Sequence, residues 1–305
     1  MPRFDKWLAE IEPDEPVHRV GRKAIRLRLA AVVHFLEAAR DKSDRAEAIH
    51  QLRIWTRRAA AALRLFEPIV PGAAGKKMKK RLRRIRAAAG QERDCDVLLE
   101  KLRAGEEEAP RTILQALKKR RRAARRAFTD LRRRKLRRDK LQRQCAKLID
   151  ELAWSKRHSS REPPRFASWC RGQLTPLGQQ FFVLADGSLS RDAKLHELRI
   201  AGKRLRYALE LSPVALPTRI HQRLYEGLSD LQERLGTVCD NLSAVARLKE
   251  WRTSAKSRKD RQALTAQIRR EQAMLAKNRE RFLRWWSFAR RKRLQADWNA
   301  ALGAT

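Results

Sequence analysis

Two histidines, each followed by cations at helical spacing, are the residues of this sequence best placed to do chemistry. Residues 50–65 read HQLRIWTRRAAAALRL and residues 196–211 read HELRIAGKRLRYALEL. His50, Arg53, Arg57 and Arg58 of the first stretch recur as His196, Arg199, Lys203 and Arg204 of the second, at a constant offset of 146 residues. At about 100° per residue, His50, Arg53, Arg57 and Arg64 fall within about one-sixth of a helix circumference. Leu52, Trp55, Ala59, Ala62, Leu63 and Phe66 gather on the opposite side. The second copy repeats the division, with His196, Arg199, Lys203 and Arg206 against Leu198, Ala201, Leu205, Ala208 and Leu209. Glu210 stands where the first copy has Arg64, and it could pair with Arg206 one turn earlier or with a cation on a neighbouring helix. Each helix therefore carries a packing face and a cationic ladder. Guanidinium forks suit phosphate oxygens, so the chemistry expected of the ladders is polyanion binding.

Three roles compete for the two histidines: a hydrogen bond to phosphate, metal ligation, or acceptance of a phosphoryl group. Metal ligation calls for several ligands at short spacing, and each motif offers one histidine with no acidic residue three or four positions on. Phosphoryl transfer needs an orienting base and a donor site, and no glycine-rich phosphate loop is present. A polar or structural role is the simplest of the three. No catalytic residue, metal or cofactor is assigned, and the chain is expected not to be an enzyme.

The charge balance narrows the partners. The 305 residues hold 73 Lys and Arg against 35 Asp and Glu, a net charge of +38. Self-repulsion on this scale opposes compaction unless anions screen it. Nucleic acid, an anionic membrane surface and an inorganic polyanion are the partner classes left open. Cys95, Cys145, Cys170 and Cys239 form no CxxC pair, so neither a zinc site nor a redox motif is indicated, and a reduced, cytoplasmic protein is the expectation. The N-terminal MPRFDKWLAEIEPDEP has no apolar leader segment, and no stretch is apolar for long enough to span a bilayer.

The elements that must position these residues are helices. Ala, Leu, Arg, Lys and Glu dominate, glycine is rare, and no strand-like alternation is sustained. Pro and Gly punctuation predicts helices over about 17–40, 44–67, 76–104, 110–152, 165–185, 191–212, 217–252 and 257–300. The fold class is all-α: two four-helix bundles over 1–155 and 156–305, tandem copies related by a rough two-fold, with Ser155–Pro164 as linker. Cys95-Asp96 echoes Cys239-Asp240 at an offset of 144, which predicts a connection two residues shorter in the second copy. The very basic stretch 118–138 reads either as a solvated face or as a second polyanion-contacting surface. Trp285, Trp286 and Phe288 lie among basic residues and are expected to cap the last bundle.

AIHQLRIWTRRAAAALRLF at 48–66 and KLHELRIAGKRLRYALEL at 194–211 resemble the CHAD family, the conserved-histidine α-helical domain. GQERDCDVLLEKL at 90–102 resembles the family's Arg-Asp-x-Asp-Val segment. The resemblance implies two pseudo-symmetric four-helix halves around a basic central cavity that holds inorganic polyphosphate. It implies a lining or supporting role for His50, Arg53, Arg57, Arg58, His196, Arg199, Lys203, Arg204, Arg206 and Tyr207. Lys76, Lys79, Lys80, Arg83 and Arg84, and the start of the first helix at Arg19, Arg22, Lys23 and Arg26, are expected to add to it. Many relatives carry an upstream triphosphate-processing CYTH domain. This chain has Glu10-Ile11-Glu12-Pro13-Asp14 in place of the Glu-x-Glu-x-Lys such a domain requires, and so resembles a stand-alone binding module. Inorganic polyphosphate, with association to polyphosphate granules, is the partner implied. RNA or DNA is the alternative, and no membrane insertion is expected.

Overall fold

A computed structural model describes residues 4–41, 43–104, 111–153, 162–255 and 257–303. The described residues contain ten α-helices and a single isolated β-bridge between Pro16 and Arg165. In chain order they are α1 (Val17–Ala38), α2 (Arg45–Leu65), α3 (Gly72–Ala104), α4 (Arg111–Lys135), α5 (Arg138–Asp150), α6 (Phe166–Asp186), α7 (Asp192–Leu209), α8 (Thr218–Ser254), α9 (Arg258–Trp285) and α10 (Phe288–Gly303). Their starts follow local chemistry. Pro16 and Pro217 precede α1 and α8, where a residue without a free N–H costs nothing. The Ser257 hydroxyl accepts a hydrogen bond from the Asp260 amide at the head of α9.

The chain forms two compact units, residues 1–166 and 167–305. Most of the expected linker, 155–161, lies outside the described residues. The segment just beyond it belongs to the first unit: the Val17 amide donates to the Pro164 carbonyl at 3.1 Å and the Phe166 amide to Glu15 at 2.9 Å. Phe166 also stacks on Phe66 at a centroid distance of 6.2 Å.

Four helices per half become five. The helix expected over 110–152 breaks at Leu136–Arg137, and the one expected over 257–300 breaks at Trp286–Ser287. Neither break holds a glycine or proline. At the first, Arg137 adopts an extended conformation (φ −55°, ψ 133°) while Leu136 and Leu141 on either side are buried. The turn sends α5 back along α1, whereas α4 stays on α3. At the second, Trp286 is buried, packing against Phe181 and Phe282 at 6.4 Å each, and α10 lies against α8. Burial of these side chains outweighs the cost of interrupting a helix.

In the first unit α2 sits between α1 and α3; in the second α8 packs against α7, α9 and α10. The faces assigned to packing do pack: Leu52, Trp55, Ala59, Ala62, Leu63 and Phe66 are buried, as are Leu198, Ala201, Leu205, Ala208 and Leu209.

Candidate functional site

In the first unit the ladder lies along the seam between α2 and α3. His50, Arg53 and Arg57 are half-buried there. Burial, then Arg57, lowers the pKa of the Arg53 guanidinium; the Asp94 carboxylate at 3.8 Å opposes the shift, and Arg86 and Arg93 on α3 add to it. Burial, followed by Arg93, also pushes His50 below the usual histidine value, with Arg53 and Arg57 acting in the same sense against Glu47. Five cationic or protonatable groups thus crowd one seam.

Gly90 makes room for this crowding. A Cβ at residue 90 would stand 2.4 Å from Arg53 Nη1, so the guanidinium lies directly on the α3 backbone. Gly90→Ala is expected to push Arg53 out of the seam and, on the expectation that the ladders bind a polyanion, to weaken that binding about tenfold, the loss of one charge-assisted hydrogen bond. Helix stability should change little, because alanine favours a helix by about 1 kcal/mol and the displaced atom ends a flexible chain. The matched control is Gly236→Ala, whose Cβ would meet Arg199 Nη2 at an ordinary 3.9 Å. Isothermal titration of both variants checks this, and equal affinities would show that the glycine has no part in placing Arg53.

In the second unit the seam lies between α7 and α8. Arg199 and Lys203 are half-buried, and His196 is exposed. Gln232 donates to the Arg199 carbonyl at 3.1 Å, and the Arg199 Nε is buried without a hydrogen-bond partner among the described residues. Burial raises the Cys239 thiol, with Arg199 and Lys203 close enough to oppose the shift.

The burial pattern corrects one expectation. Leu98, Leu99 and Leu102 on α3 match Ala244, Val245 and Leu248 on α8, all buried, at the same offset of 146 that joins the two ladders. At an offset of 144, Leu99 and Leu102 would match Ser243 and Ala246, which are exposed. No residues are lost between ladder and echo, and the second Cys-Asp pair is out of step with the first. The second unit accordingly has Gln232 and Cys239 where the first has Arg86 and Arg93. The two seams share a ladder but differ in charge.

The other candidates are spread over each unit. Arg58 lies over the Trp55 ring at 4.7 Å. Arg204 is exposed beside Glu197 and Ile200 in a groove between α6 and α7. Arg206 is tied inward: it pairs with Glu210 at 3.1 Å and donates to the Tyr225 hydroxyl at 2.9 Å, and that hydroxyl donates to Glu210 at 3.2 Å. Burial opposes the Arg206 charge, but Glu210 and the two tyrosines raise its pKa overall. Tyr207 is buried beside it. On α3, Lys76, Lys80, Arg83 and Arg84 are exposed, while Lys79 pairs with Glu67 at 2.7 Å. On α1, Arg19 and Arg26 are exposed, Arg22 donates to the Leu152 carbonyl at 2.8 Å, and Lys23 pairs with Glu10 at 3.5 Å.

The ladder in each unit therefore gathers His50, Arg53 and Arg57, and Arg199 and Lys203; Arg58, Arg204, Arg206 and Tyr207 lie elsewhere. Sequence reasoning missed Arg86 and Arg93. The signal was present: Arg86, Gly90 and Arg93 are spaced four and three apart and share a helix face. Among the described residues, no group of three or more His, Cys, Asp or Glu is placed to hold a metal ion. No described helix is long and apolar enough to cross a membrane.

The family model for the CHAD domain matches residues 23–249. The crystal structure of the CHAD domain from the plant Ricinus communis is similar over 98% of this chain and 97% of that one, at 21% identity and a TM-score of 0.72. PptA from Streptomyces chartreusis is similar over 89% of this chain and 99% of that one, at 16% identity and a TM-score of 0.63. At these identities the two structures bear on the fold. No curated protein matches. Since the matched residues are most of its length, the chain belongs to the CHAD domain family.

Proposed function

We propose that this protein binds inorganic polyphosphate through its two ladders and does not turn it over. The observation that carries this reading is Arg53: it is half-buried among Arg57, Arg86 and Arg93 with the Asp94 carboxylate 3.8 Å away, and its charge is disfavoured on balance. A phosphate at the seam would relieve that cost through charge-assisted hydrogen bonds, the strong class. The family is associated with polyphosphate, and a pseudo-two-fold that sets both ladders on one polymer in a basic central cavity belongs to the same proposal. So do a cytoplasmic setting and association with polyphosphate granules.

The aromatic inventory favours a polymer without bases at this site. Recognition of single-stranded nucleic acid uses exposed rings as stacking platforms, yet Trp55 and Tyr207, on the two ladder helices, are buried. Polyphosphate offers about one charge per phosphate and nothing to stack, so affinity should fall steeply with salt as released counterions regain their value.

Competition tests the reading. Labelled long-chain polyphosphate, bound at near-physiological salt, is expected to resist RNA and DNA supplied at equal phosphate concentration. Equal displacement per phosphate would remove the preference. Orthophosphate release, with or without divalent metal, is expected to match a protein-free control, and release above it would make the chain an enzyme.

A further inference from the structure

The basic stretch that the ladders leave unused is α4. Its 25 residues, RTILQALKKRRRAARRAFTDLRRRK, carry twelve Lys and Arg and one acidic residue, Asp130. Two of the arginines are occupied internally: Arg121 pairs with the buried Asp96 at 2.6 Å, and Arg132 with Glu37 at 3.8 Å. Ile113, Leu117 and Phe128 are buried against the rest of the unit. Lys118, Lys119, Arg122, Arg125, Arg126 and Arg133 lie on the other side, within about one-third of the circumference at 100° per residue. They are exposed, or half-exposed at Arg125, and none has an acidic partner among the described residues. They lie on the side of α4 away from the buried Ile113, Leu117 and Phe128 that pack into the unit, whereas Arg53 lies against the α3 backbone at Gly90 in the α2/α3 seam.

A solvated helix face ordinarily mixes signs. The basic helix α9 of the second unit does so, with Asp260 half-exposed and Glu280 exposed along it. On α4, like charges stand one turn apart at Lys118, Arg122 and Arg126, an arrangement that opposes helix formation. A polyanion laid along the face would reverse the sign of that cost. Lys118 to Arg133 covers about 22 Å of rigid helix, with cations stepping about 6 Å every four residues, close to the separation of successive phosphates along a nucleic-acid strand.

The composition of the face selects among polyanions. It carries no exposed aromatic to stack on bases, since Phe128 is buried, which disfavours a single strand. It carries no large exposed apolar residue of the kind that anchors a helix in lipid. Inorganic polyphosphate survives both exclusions, but its flexible chain sets neighbouring phosphates closer together than the cations of this face; a stiff polyanion that holds its phosphates in register at the longer step fits better. We propose that the solvent face of α4 docks on the phosphate backbone of double-stranded nucleic acid, independently of sequence and separately from the ladders.

The test uses the full chain and a mixed-sequence DNA duplex of about 24 base pairs, titrated across salt concentrations. The probe variant combines Lys118→Gln, Arg122→Gln, Arg126→Gln and Arg133→Gln. All four side chains are exposed, and easing their mutual repulsion should raise the melting temperature slightly, which reports that the variant folds. Duplex affinity near 150 mM salt is expected to fall at least tenfold, and the salt slope to shrink by about three to four, the share of four phosphate contacts. Polyphosphate affinity is expected to stay within twofold of the parent. Unchanged duplex binding, or no duplex binding by the parent, would overturn the proposal. An equal fall for duplex and polyphosphate would overturn it too, by making α4 part of one general polyanion surface. If the parent fails to bind polyphosphate while the duplex result holds, the ladder reading fails and this one stands.

Discussion

Reversing the charge of Arg57 and Lys203 together is expected to weaken long-chain polyphosphate binding about a thousandfold while leaving helical content intact. Each side chain supplies a charge-assisted hydrogen bond worth about 2 kcal/mol, and two such losses, about 4 kcal/mol, amount to three decades. The introduced carboxylates repel the ligand further. Both residues are half-buried on the open edge of their helices and not in the cores, so circular dichroism should report a folded protein. The single variants carry separate information. If both ladders hold one polymer, either reversal alone also costs the avidity of a two-point attachment. If the ladders act independently, the Arg57→Glu protein keeps a full-strength site in its second unit. Retained affinity in the folded double variant would move the site off the ladders.

Removing the carboxylate of Glu92 is expected to cost the first unit about 3–5 kcal/mol, because it leaves a buried arginine without its counter-charge. Arg45 at the start of α2 meets Glu92 on α3 in a two-pronged pair, Nε to Oε1 at 2.6 Å and Nη2 to Oε2 at 2.8 Å. The guanidinium also donates to the Ala39 carbonyl and lies over the Phe128 ring at 5.5 Å. Both partners are buried, 6% and 3% exposed, so solvent cannot take over either role. The pair ties α2 to α3 below the seam that carries the ladder. Amide hydrogen exchange in α2 and α3 of Glu92→Ala checks the prediction, and protection lowered by less than 1 kcal/mol would mean the pair is replaceable. In the second unit the position matching Glu92 is Val238, also buried, while Arg191, which matches Arg45, is exposed, so an apolar residue fits at the acidic position. Arg45→Met with Glu92→Val should therefore recover most of the stability that Glu92→Ala loses.

How much of this was legible beforehand follows from the range of each interaction. The helices of both ladders were readable because the period of their apolar residues is local and strong; Leu52 through Phe66 and Leu198 through Leu209 bury as that period demands. The breaks after α4 and α9 were not, because nothing in RRKLRRDKL or RWWSFAR forbids a helix. Leu136 and Trp286 end those helices by finding burial elsewhere. The echo at Cys239-Asp240 misled for a related reason. Two letters can recur by chance, whereas the burial pattern of Leu98, Leu99 and Leu102 cannot slip by two residues without turning its apolar side to water. Arg206 shows the limit of reading a stripe. Its angle on the helix suits the ladder; the pair with Glu210 was readable from the four-residue spacing, and only the neighbouring helix reveals Tyr225, which with Glu210 holds the guanidinium inward.

Charge, helicity, the doubled ladder and the family likeness all lie in the order of residues, since each depends on composition or on spacing within a few turns. Which cations face a common seam depends on contacts between helices far apart in the chain. Packing of α3 against α2 brought Arg86 and Arg93 beside Arg53, and the missing side chain at Gly90 let them approach. The same packing committed Arg45 to Glu92, and in the second unit the packing of α8 on α7 set Tyr225 against the Arg206–Glu210 pair, because a charge enclosed by neighbouring helices must find its opposite there.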